Sequence, residues 1–285
     1  MRRLAFLLLP FAALAVSCSY GPYMLNITET KVDERATSIK EIPPPESDFG
    51  SAYSFLIIAD AHFGAHGSDS LADRFLEKYN EIMSESSEEE KPRFIINLGD
   101  TMDSGKQEQA DGYCAMIEKI GSSARTLSKT MPHYSIVGNH DLYAGDGWEV
   151  WERNFYPHTS YYTFNLGGIE YYFLDTGNGT LGKPQLEDLE ARLSCDTSTP
   201  KIVFMHYPFV NDTPFCLQNT LERNRLLSIF AKSNVKTVFS GHYHLGGERN
   251  YGSFNDVTLK SFGYHHNAML VTVRGETVLY KKITF

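Results

Sequence analysis

Six short apolar runs in this chain each lead, within three residues, to a side chain that can bind a metal or transfer a proton. The runs span residues 55–59, 94–98, 134–137, 171–174, 201–205 and 235–239, and they lead to Asp60, Asp100, Asn139, Asp175, His206 and His242. Buried strands have continuous apolar sequences, and open α/β sheets bind ligands beyond the carboxyl ends of their strands. The repetition therefore predicts one sheet edge that gathers polar, metal-competent side chains.

The segments between these runs favour helices. Leu71, Phe75 and Tyr79 recur at helical spacing in the first connection, and residues 186–193 repeat the pattern behind Pro184. Beyond His244 the apolar runs are short and separated by glycines, which is typical of antiparallel strands. A chain of 285 residues, 42% of them apolar, is long enough for one large core. We therefore expect a single α/β domain over residues 51–285, with a largely parallel sheet.

Charge and cysteine content exclude two classes of function. The net charge of -9 argues against general nucleic-acid binding, which needs a basic face. Cys114, Cys195 and Cys216 form no C-x-x-C pair, so a zinc ribbon is excluded. An anionic substrate stays possible, because bound divalent metals can invert the local field.

The N-terminus has the form of an export signal. Arg2 and Arg3 precede an apolar stretch that is too short to span a bilayer comfortably, so residues 1–17 are predicted to be a signal peptide. The residues before Cys18 resemble the cleavage box of bacterial lipoproteins, which implies a lipid on its thiol, and an ordinary cleaved signal is the alternative. Residues 18–50 are polar and end in a proline run, which predicts a tether. We expect an exported protein anchored by this lipid to a bacterial membrane, at a periplasmic or outer surface.

Five blocks of polar residues carry the chemistry. They are Asp60-x-His62, Gly99-Asp100, Gly138-Asn139-His140-Asp141, His206 and Gly241-His242-x-His244, in that order. Carboxylate oxygens and imidazole nitrogens suit hard and borderline divalent metals, and two neighbouring metals need one bridging ligand. The glycines before Asp100, Asn139 and His242 are expected to let the chain turn sharply where the strands end.

The order and spacing of these blocks resemble the calcineurin-like metallophosphoesterase family. The middle of the chain fits the family as well, with Leu174-Asp175-Thr176 followed by Gln185-Leu186. The resemblance implies a four-layer αββα sandwich, in which two mixed β-sheets are flanked by helices. It also places a dinuclear metal site at the carboxyl-terminal ends of the strands.

The resemblance implies a role for each residue of the blocks. Asp60, His62 and His244 would hold one divalent ion, Asn139, His206 and His242 the other, and Asp100 would bridge both. The ions would be Mn, Fe, Zn or Co, and a bridging hydroxide would attack phosphorus. His140 would donate a proton to the leaving oxygen, and Asp103 would orient it. Asn139, His140 and His66 would contact the substrate, although His66 could equally be an exposed loop histidine.

At two positions the chain departs from the patterns of known branches of the family. Protein phosphatases of the family carry arginine directly after the position of Asp103, where this chain has Ser104. That change removes a bidentate phosphate clamp and makes a protein-phosphatase role doubtful. Purple acid phosphatases carry tyrosine at the position of Asp103, so their ferric site is not expected.

The predicted function is metal-dependent hydrolysis of a phosphoester, either a phosphomonoester or a phosphodiester. The alternative from another class is a non-catalytic, membrane-anchored lipoprotein that uses the same fold as a binding module. Such a module would be expected to have a broken ligand set, whereas all seven ligand positions and His140 are present here.

Overall fold

Strands with apolar side chains on both faces form the centre of the computed structural model, which describes residues 31–45, 49–50, 52–65, 68–209 and 215–285. Cys18 and His66 lie outside the described residues. The strands are β1 (Lys40–Glu41), β2 (Ala52–Ile58), β3 (Pro92–Asn97), β4 (His133–Ser135), β5 (Tyr162–Leu166), β6 (Ile169–Phe173), β7 (Lys201–Met205), β8 (Val235–Ser240), β9 (Leu245–Asn250), β10 (Asn255–Lys260), β11 (Asn267–Arg274) and β12 (Thr277–Thr284).

Seven helices and one 3₁₀ turn surround these strands in the described ranges. They are α1 (Val32–Arg35), α2 (Ser68–Glu85), α3 (Gln107–Glu118), α4 (Gly147–Asn154), α5 (Lys183–Cys195), α6 (Thr220–Lys232), α7 (Phe262–His265) and the 3₁₀ turn His140–Leu142. Pro184 lies in the first turn of α5, where its missing N–H costs nothing. The Asn219 side chain caps α6 by accepting from the Leu221 and Glu222 N–H groups.

The strands form two mixed sheets. One has the order β12-β11-β2-β3-β4 and the other the order β1-β5-β6-β7-β8-β10-β9. β2, β3 and β4 are parallel, as are β6, β7, β8 and β10. The strands after His244 include the antiparallel pairs β9–β10 and β11–β12, as the glycine-separated runs predict.

Three apolar clusters separate four layers. One cluster lies between the two sheets and contains Phe55, Phe94 and Phe204. A second joins the five-stranded sheet to α2, α3 and α4, and a third joins the seven-stranded sheet to α5 and α6. Because each sheet is covered on both faces, Phe55–Ile58 of β2 are all buried. The predicted αββα sandwich is confirmed.

Part of the predicted tether belongs to the folded domain. Val32 and Ala36 are buried against the seven-stranded sheet, and β1 pairs with β5 in parallel. The Tyr134 hydroxyl donates to the Pro43 carbonyl, which fixes the start of the proline run. The polar composition of this segment concealed these contacts, and the domain boundary lies before residue 32 rather than at residue 51.

None of the helices in the described ranges is both long and apolar enough to cross a membrane. Cys114 and Cys216 are buried, and Cys195 is exposed.

Candidate metal centre

The carboxyl ends of five strands, drawn from both sheets, meet at one point. Asp60 and His62 follow β2, Asp100 follows β3, and Asn139 and His140 follow β4 in the first sheet; His206 follows β7, and His242 and His244 follow β8 in the second. Ligand atoms within 4.8 Å of one another form three groups, which are Asp60/His62/Asp100/His244, Asp100/His206/His242 and His62/Asp103/His140. The structure therefore brings all seven predicted ligands and His140 into one cluster.

The first group converges on two imidazole nitrogens. His62 Nε2 lies 3.1 Å from His244 Nε2. Asp60 Oδ1 lies 3.8 Å from His244 Nε2, and both Asp60 oxygens accept from the His242 backbone N–H. Asp100 Oδ2 lies 3.9 Å from His62 Nε2, which places this oxygen at the border of the first group.

The second group shares the same Asp100 oxygen. His206 Nε2 lies 3.3 Å from Asp100 Oδ2 and 3.0 Å from Asn139 Oδ1. His206 Nδ1 donates to the Leu98 carbonyl at 2.8 Å, which fixes the ring and points Nε2 into the cluster. Asp100 Oδ2 therefore lies between His62 and His206, as a bridging ligand requires.

Two orphaned atoms test whether these residues fit metal ions. His62 Nδ1 and Asp100 Oδ2 are buried and receive no hydrogen bond from the described residues. A buried polar atom without a partner is costly, and a cation bound at Asp100 Oδ2 would supply the missing interaction. Carboxylate, imidazole and amide oxygen donors also match the preference of divalent transition metals. The donor set fits a divalent metal site.

Burial and mutual charge shift the pKa values of the cluster. Burial raises the pKa of Asp60 to about 8. Burial alone would raise the pKa of Asp100, but the charge of His206 holds it well below its ordinary value. Burial opposes protonation of His206, yet the charge of Asp100 raises its pKa to about 9. A bound cation would favour the ionised form of both carboxylates and free the His206 Nε2 lone pair.

Burial opposes protonation of three further imidazoles of the cluster. Burial lowers the pKa of His244 to about 4 and lowers the pKa values of His62 and His242 as well. A neutral imidazole keeps a lone pair on one nitrogen, which is the form that binds metals.

The backbone is in the left-handed region at most of the predicted ligands. Five of the eight non-glycine residues with positive φ in the described ranges are ligands, namely Asp60, His62, Asp100, His242 and His244. This conformation is uncommon for residues with a Cβ, and it persists where the surrounding structure enforces it. The strain is concentrated at the site.

The glycines of the blocks serve two different purposes. Gly99 has a φ of +89°, so it turns the chain as the sequence suggests. Gly138 is not in the left-handed region, but a Cβ there would lie 2.2 Å from the Asp100 backbone nitrogen. Gly138 is therefore needed for close approach of the Asn139 turn to Asp100.

Asp103 holds His140 through its backbone rather than its carboxylate. His140 Nδ1 donates to the Asp103 carbonyl at 2.7 Å. The Asp103 carboxylate is 4.0 Å from that nitrogen and 3.3 Å from His62 Nδ1. Asp103 therefore lies beside His140, as predicted, and its bond to the imidazole N–H runs through the backbone carbonyl.

Two tyrosines position predicted ligands in ways that sequence did not reveal. Asn139 Nδ2 donates to the Tyr143 hydroxyl at 2.9 Å, which turns Oδ1 toward His206. The buried Tyr207 ring stacks on His242 with 3.8 Å between ring centroids. Both tyrosines lie within four residues of a block in the sequence, but their contacts with the predicted ligands depend on the fold.

A cavity of about 350 Å³ opens onto the cluster. It is lined by five predicted site residues and by Tyr143, Phe215, Tyr243 and Leu245. Ser104 is engaged elsewhere, because its hydroxyl and N–H bond to the Gln109 side chain at the start of α3. Leu245 directly follows the predicted ligand His244, whereas no signal in the sequence identifies Phe215 as a neighbour of the cluster.

Comparison with known proteins agrees with this geometry. A family model described as calcineurin-like phosphoesterase matches residues 53–246. The chain belongs to this family. Members of the family use divalent metals, and the cluster described above contains residues that could form such a site.

Relatives and solved structures carry phosphoesterase names. The chain is 31% identical to "Serine/threonine-protein phosphatase CPPED1" of Danio rerio over 58% of its own length and 57% of that protein. It thus spans just over half of that relative. It is 29% identical to "Probable cyclic nucleotide phosphodiesterase" of Fibrobacter succinogenes over 66% of this chain and 71% of that protein. A dimetal phosphatase from Danio rerio shares the fold, with a TM-score of 0.55, 16% identity and coverage of 82% and 99%.

Proposed function

We propose that this protein hydrolyses phosphoesters at a dinuclear centre of divalent metal ions. The observation that carries the proposal is the position of Asp100 Oδ2 between His206 Nε2 at 3.3 Å and His62 Nε2 at 3.9 Å. This oxygen is buried and receives no hydrogen bond from the residues that the structure describes. Asp60, His62 and His244 would hold one ion and Asn139, His206 and His242 the other. When bound, such ions supply Lewis acidity to the phosphoryl oxygens and acidify water.

His140 is suited to act as the general acid. Its Nδ1–H is held by the Asp103 carbonyl, so the Nε2 side of the ring is left to serve the substrate. In the proposed reaction a water oxygen bonds to phosphorus and the ester P–O bond breaks. The leaving oxygen takes a proton from His140, the attacking water releases a proton to solvent, and His140 regains one from solvent, so that one water is consumed.

Asp103 is proposed to act on both histidines at once. Its carbonyl fixes the acid, and its carboxylate lies beside His62, a predicted ligand. The third group of potential ligand atoms, His62/Asp103/His140, reflects this arrangement. We assign this group to orientation rather than to a third metal, because its His62 is already needed by the first ion.

A non-catalytic binding module with the same fold is the competing proposal. The intact ligand set and the fixed His140 favour catalysis, since a binding module has no need of either. The names of the two relatives point to different phosphoesters, a protein phosphomonoester and a cyclic nucleotide. Both are consistent with the proposed reaction class.

Hydrolysis of p-nitrophenyl phosphate and bis-p-nitrophenyl phosphate tests the proposal. The purified protein is treated with a chelator, dialysed, and assayed before and after Mn²⁺ or Zn²⁺ is returned. Turnover that disappears with the metal and returns with it is expected. Absence of turnover of both esters by protein that has regained two ions per chain would favour the binding module.

We also propose that Cys18 carries a lipid and anchors the protein to a bacterial membrane outside the cytoplasm. This proposal rests on the sequence of residues 1–18. Mass spectrometry of the membrane fraction should find acyl chains on the wild-type N-terminal peptide, and Cys18→Ala should release the protein. An unmodified Cys18 in the mature protein would contradict the anchor.

A further inference from the structure

Exposed apolar surface is concentrated around the mouth of the candidate metal centre. Six large hydrophobic side chains are exposed in the described ranges, and Tyr143, Phe215 and Tyr264 among them are 50%, 53% and 55% exposed. Their ring centroids lie 4.3 Å from His140, 5.9 Å from His242 and 5.2 Å from His244, respectively. We call Tyr143, Phe215 and Tyr264 the aromatic rim.

Two residues of the aromatic rim, Tyr143 and Phe215, line the cavity at the cluster, and Tyr264 stacks on His244 beside it. Leu245, a fourth of the six exposed hydrophobics, lines the cavity together with Tyr143 and Phe215. Exposed apolar side chains that cluster at a cavity indicate a ligand-binding surface, whereas singly scattered ones are common on any protein. A ligand that covers these rings would gain from their burial and from ring–ring contact.

No lysine or arginine lines the cavity in the described part of the chain. A phosphomonoester carries a second negative charge that proteins commonly hold with a bidentate arginine or a lysine. Ser104 stands where protein phosphatases of the family carry arginine, and it bonds to Gln109.

We infer that the site takes phosphodiesters that carry a planar aromatic ester group. This inference rests on the proposed function. A diester has a single negative charge, which the site can hold without an arginine, and it has a second ester group that needs an apolar surface. A flat aromatic group can stack on the aromatic rim or meet it edge-on, and such ring–ring contacts are more favourable than contacts with an aliphatic group.

The geometry assigns a separate role to Phe215. Tyr143 packs on His140, the proposed acid, and so borders the oxygen that leaves. Phe215 packs near His242 and lines the same cavity. Phe215 is therefore the residue that covers the ester group that stays on phosphorus, and it determines the preference for an aromatic group at that position.

Three esters with one common leaving group test this inference. p-Nitrophenyl phosphate, methyl p-nitrophenyl phosphate and phenyl p-nitrophenyl phosphate all release p-nitrophenolate, so they differ in charge and in the group that stays. The metal-loaded protein should show kcat/KM highest for the phenyl diester, about tenfold lower for the methyl diester, and lowest for the monoester.

Phe215→Ala separates ring contact from general damage. We expect it to reduce the phenyl-over-methyl ratio to less than about threefold, because only the phenyl diester loses a ring contact. Leu279→Ala is the matched control, because Leu279 is an exposed hydrophobic of β12 that does not line the cavity. Leu279→Ala should leave the phenyl-over-methyl ratio as it is in wild type.

Two results would overturn the inference while leaving the proposed function intact. The first is a higher kcat/KM for the monoester than for both diesters. The second is an equal loss for all three esters in Phe215→Ala. Absence of metal-dependent turnover of all three esters is a different result, and it would overturn the proposed function together with this inference.

Discussion

The Asp103 carbonyl accepts from His140 Nδ1 at 2.7 Å, while the Asp103 carboxylate lies nearer to His62 than to His140. The residue therefore controls the proposed acid through an atom that mutation of its side chain leaves in place. The backbone carbonyl of Asp103 thus contacts His140 and its carboxylate faces His62, whereas a comparison of sequences would assign both contacts to the side chain.

Asp103→Ala and His140→Ala should therefore differ in how strongly the loss of rate depends on the leaving group. His140→Ala should keep both metals and slow esters with poor leaving groups the most, because those esters need the proton. Asp103→Ala should keep the acid in place and lose about tenfold, with similar losses for good and poor leaving groups, because its carboxylate lies beside the predicted ligand His62. Rates for a series of aryl esters measure this difference. A leaving-group dependence as steep in Asp103→Ala as in His140→Ala would show that the carboxylate orients the acid.

Asn139 should be required for one metal ion, and Tyr143 should support it. Asn139→Ala removes an oxygen that lies 3.0 Å from His206 Nε2, so we expect loss of one ion and of most activity. Tyr143→Phe keeps the ring but removes the acceptor of the Asn139 amide, which should weaken that ion by about tenfold. Metal content and competition with a chelator give both values. Two tightly bound ions in Asn139→Ala would contradict the ligand assignment.

Arg35 should contribute strongly to stability. Its guanidinium is 1% exposed, donates to both oxygens of the buried Asp175 and lies over the Trp148 ring. Arg35→Ala leaves Asp175 charged and buried, which should lower the free energy of unfolding by about 3–5 kcal/mol. Urea unfolding measures the loss.

The exposed pair of Arg192 and Glu41 is the matched control for Arg35. Arg192→Ala should cost less than about 1 kcal/mol, because both side chains of this pair are solvated. Equal effects of Arg35→Ala and Arg192→Ala would contradict the proposed importance of burial.

Asp256 should make the fold less stable above neutral pH. Burial raises the pKa of Asp256 to about 7, against the opposing charge of Arg249, and its Oδ1 has no hydrogen bond from the described residues. The folded state then binds a proton that the unfolded state has released, so stability falls as pH rises from about 4 to about 7. The full loss above pH 7 is about 4 kcal/mol.

Asp256→Asn tests this dependence on pH. The variant should be more stable than wild type at pH 8, and the difference should shrink toward pH 4. Chemical unfolding at both pH values measures it. If the difference in free energy of unfolding between wild type and variant is the same at both pH values, the pKa of the Asp256 carboxyl is not raised.

The convergence of the predicted ligands could be predicted from sequence, because each follows an apolar run that indicates a buried strand. Asp100 and His206 are examples, since the end of a buried strand fixes their place at one sheet edge. Phe215 and Arg35 could not be predicted, because their partners, His242 and Asp175, are distant in the chain and lie on other elements. The bond from His140 to Asp103 was also hidden, since a backbone carbonyl leaves no trace in residue type.

Metal stoichiometry of wild type and Asp100→Ala tests the central claim most directly. Mass spectrometry of protein reconstituted with Mn²⁺ or Zn²⁺ should find two ions per chain in wild type, with hydrolysis reaching its maximum only when the second is bound. Asp100→Ala should bind at most one ion and lose hydrolysis, because its carboxylate lies beside both His62 and His206. A wild-type protein that reaches full activity with one ion, or an Asp100→Ala variant that holds two, would contradict the account.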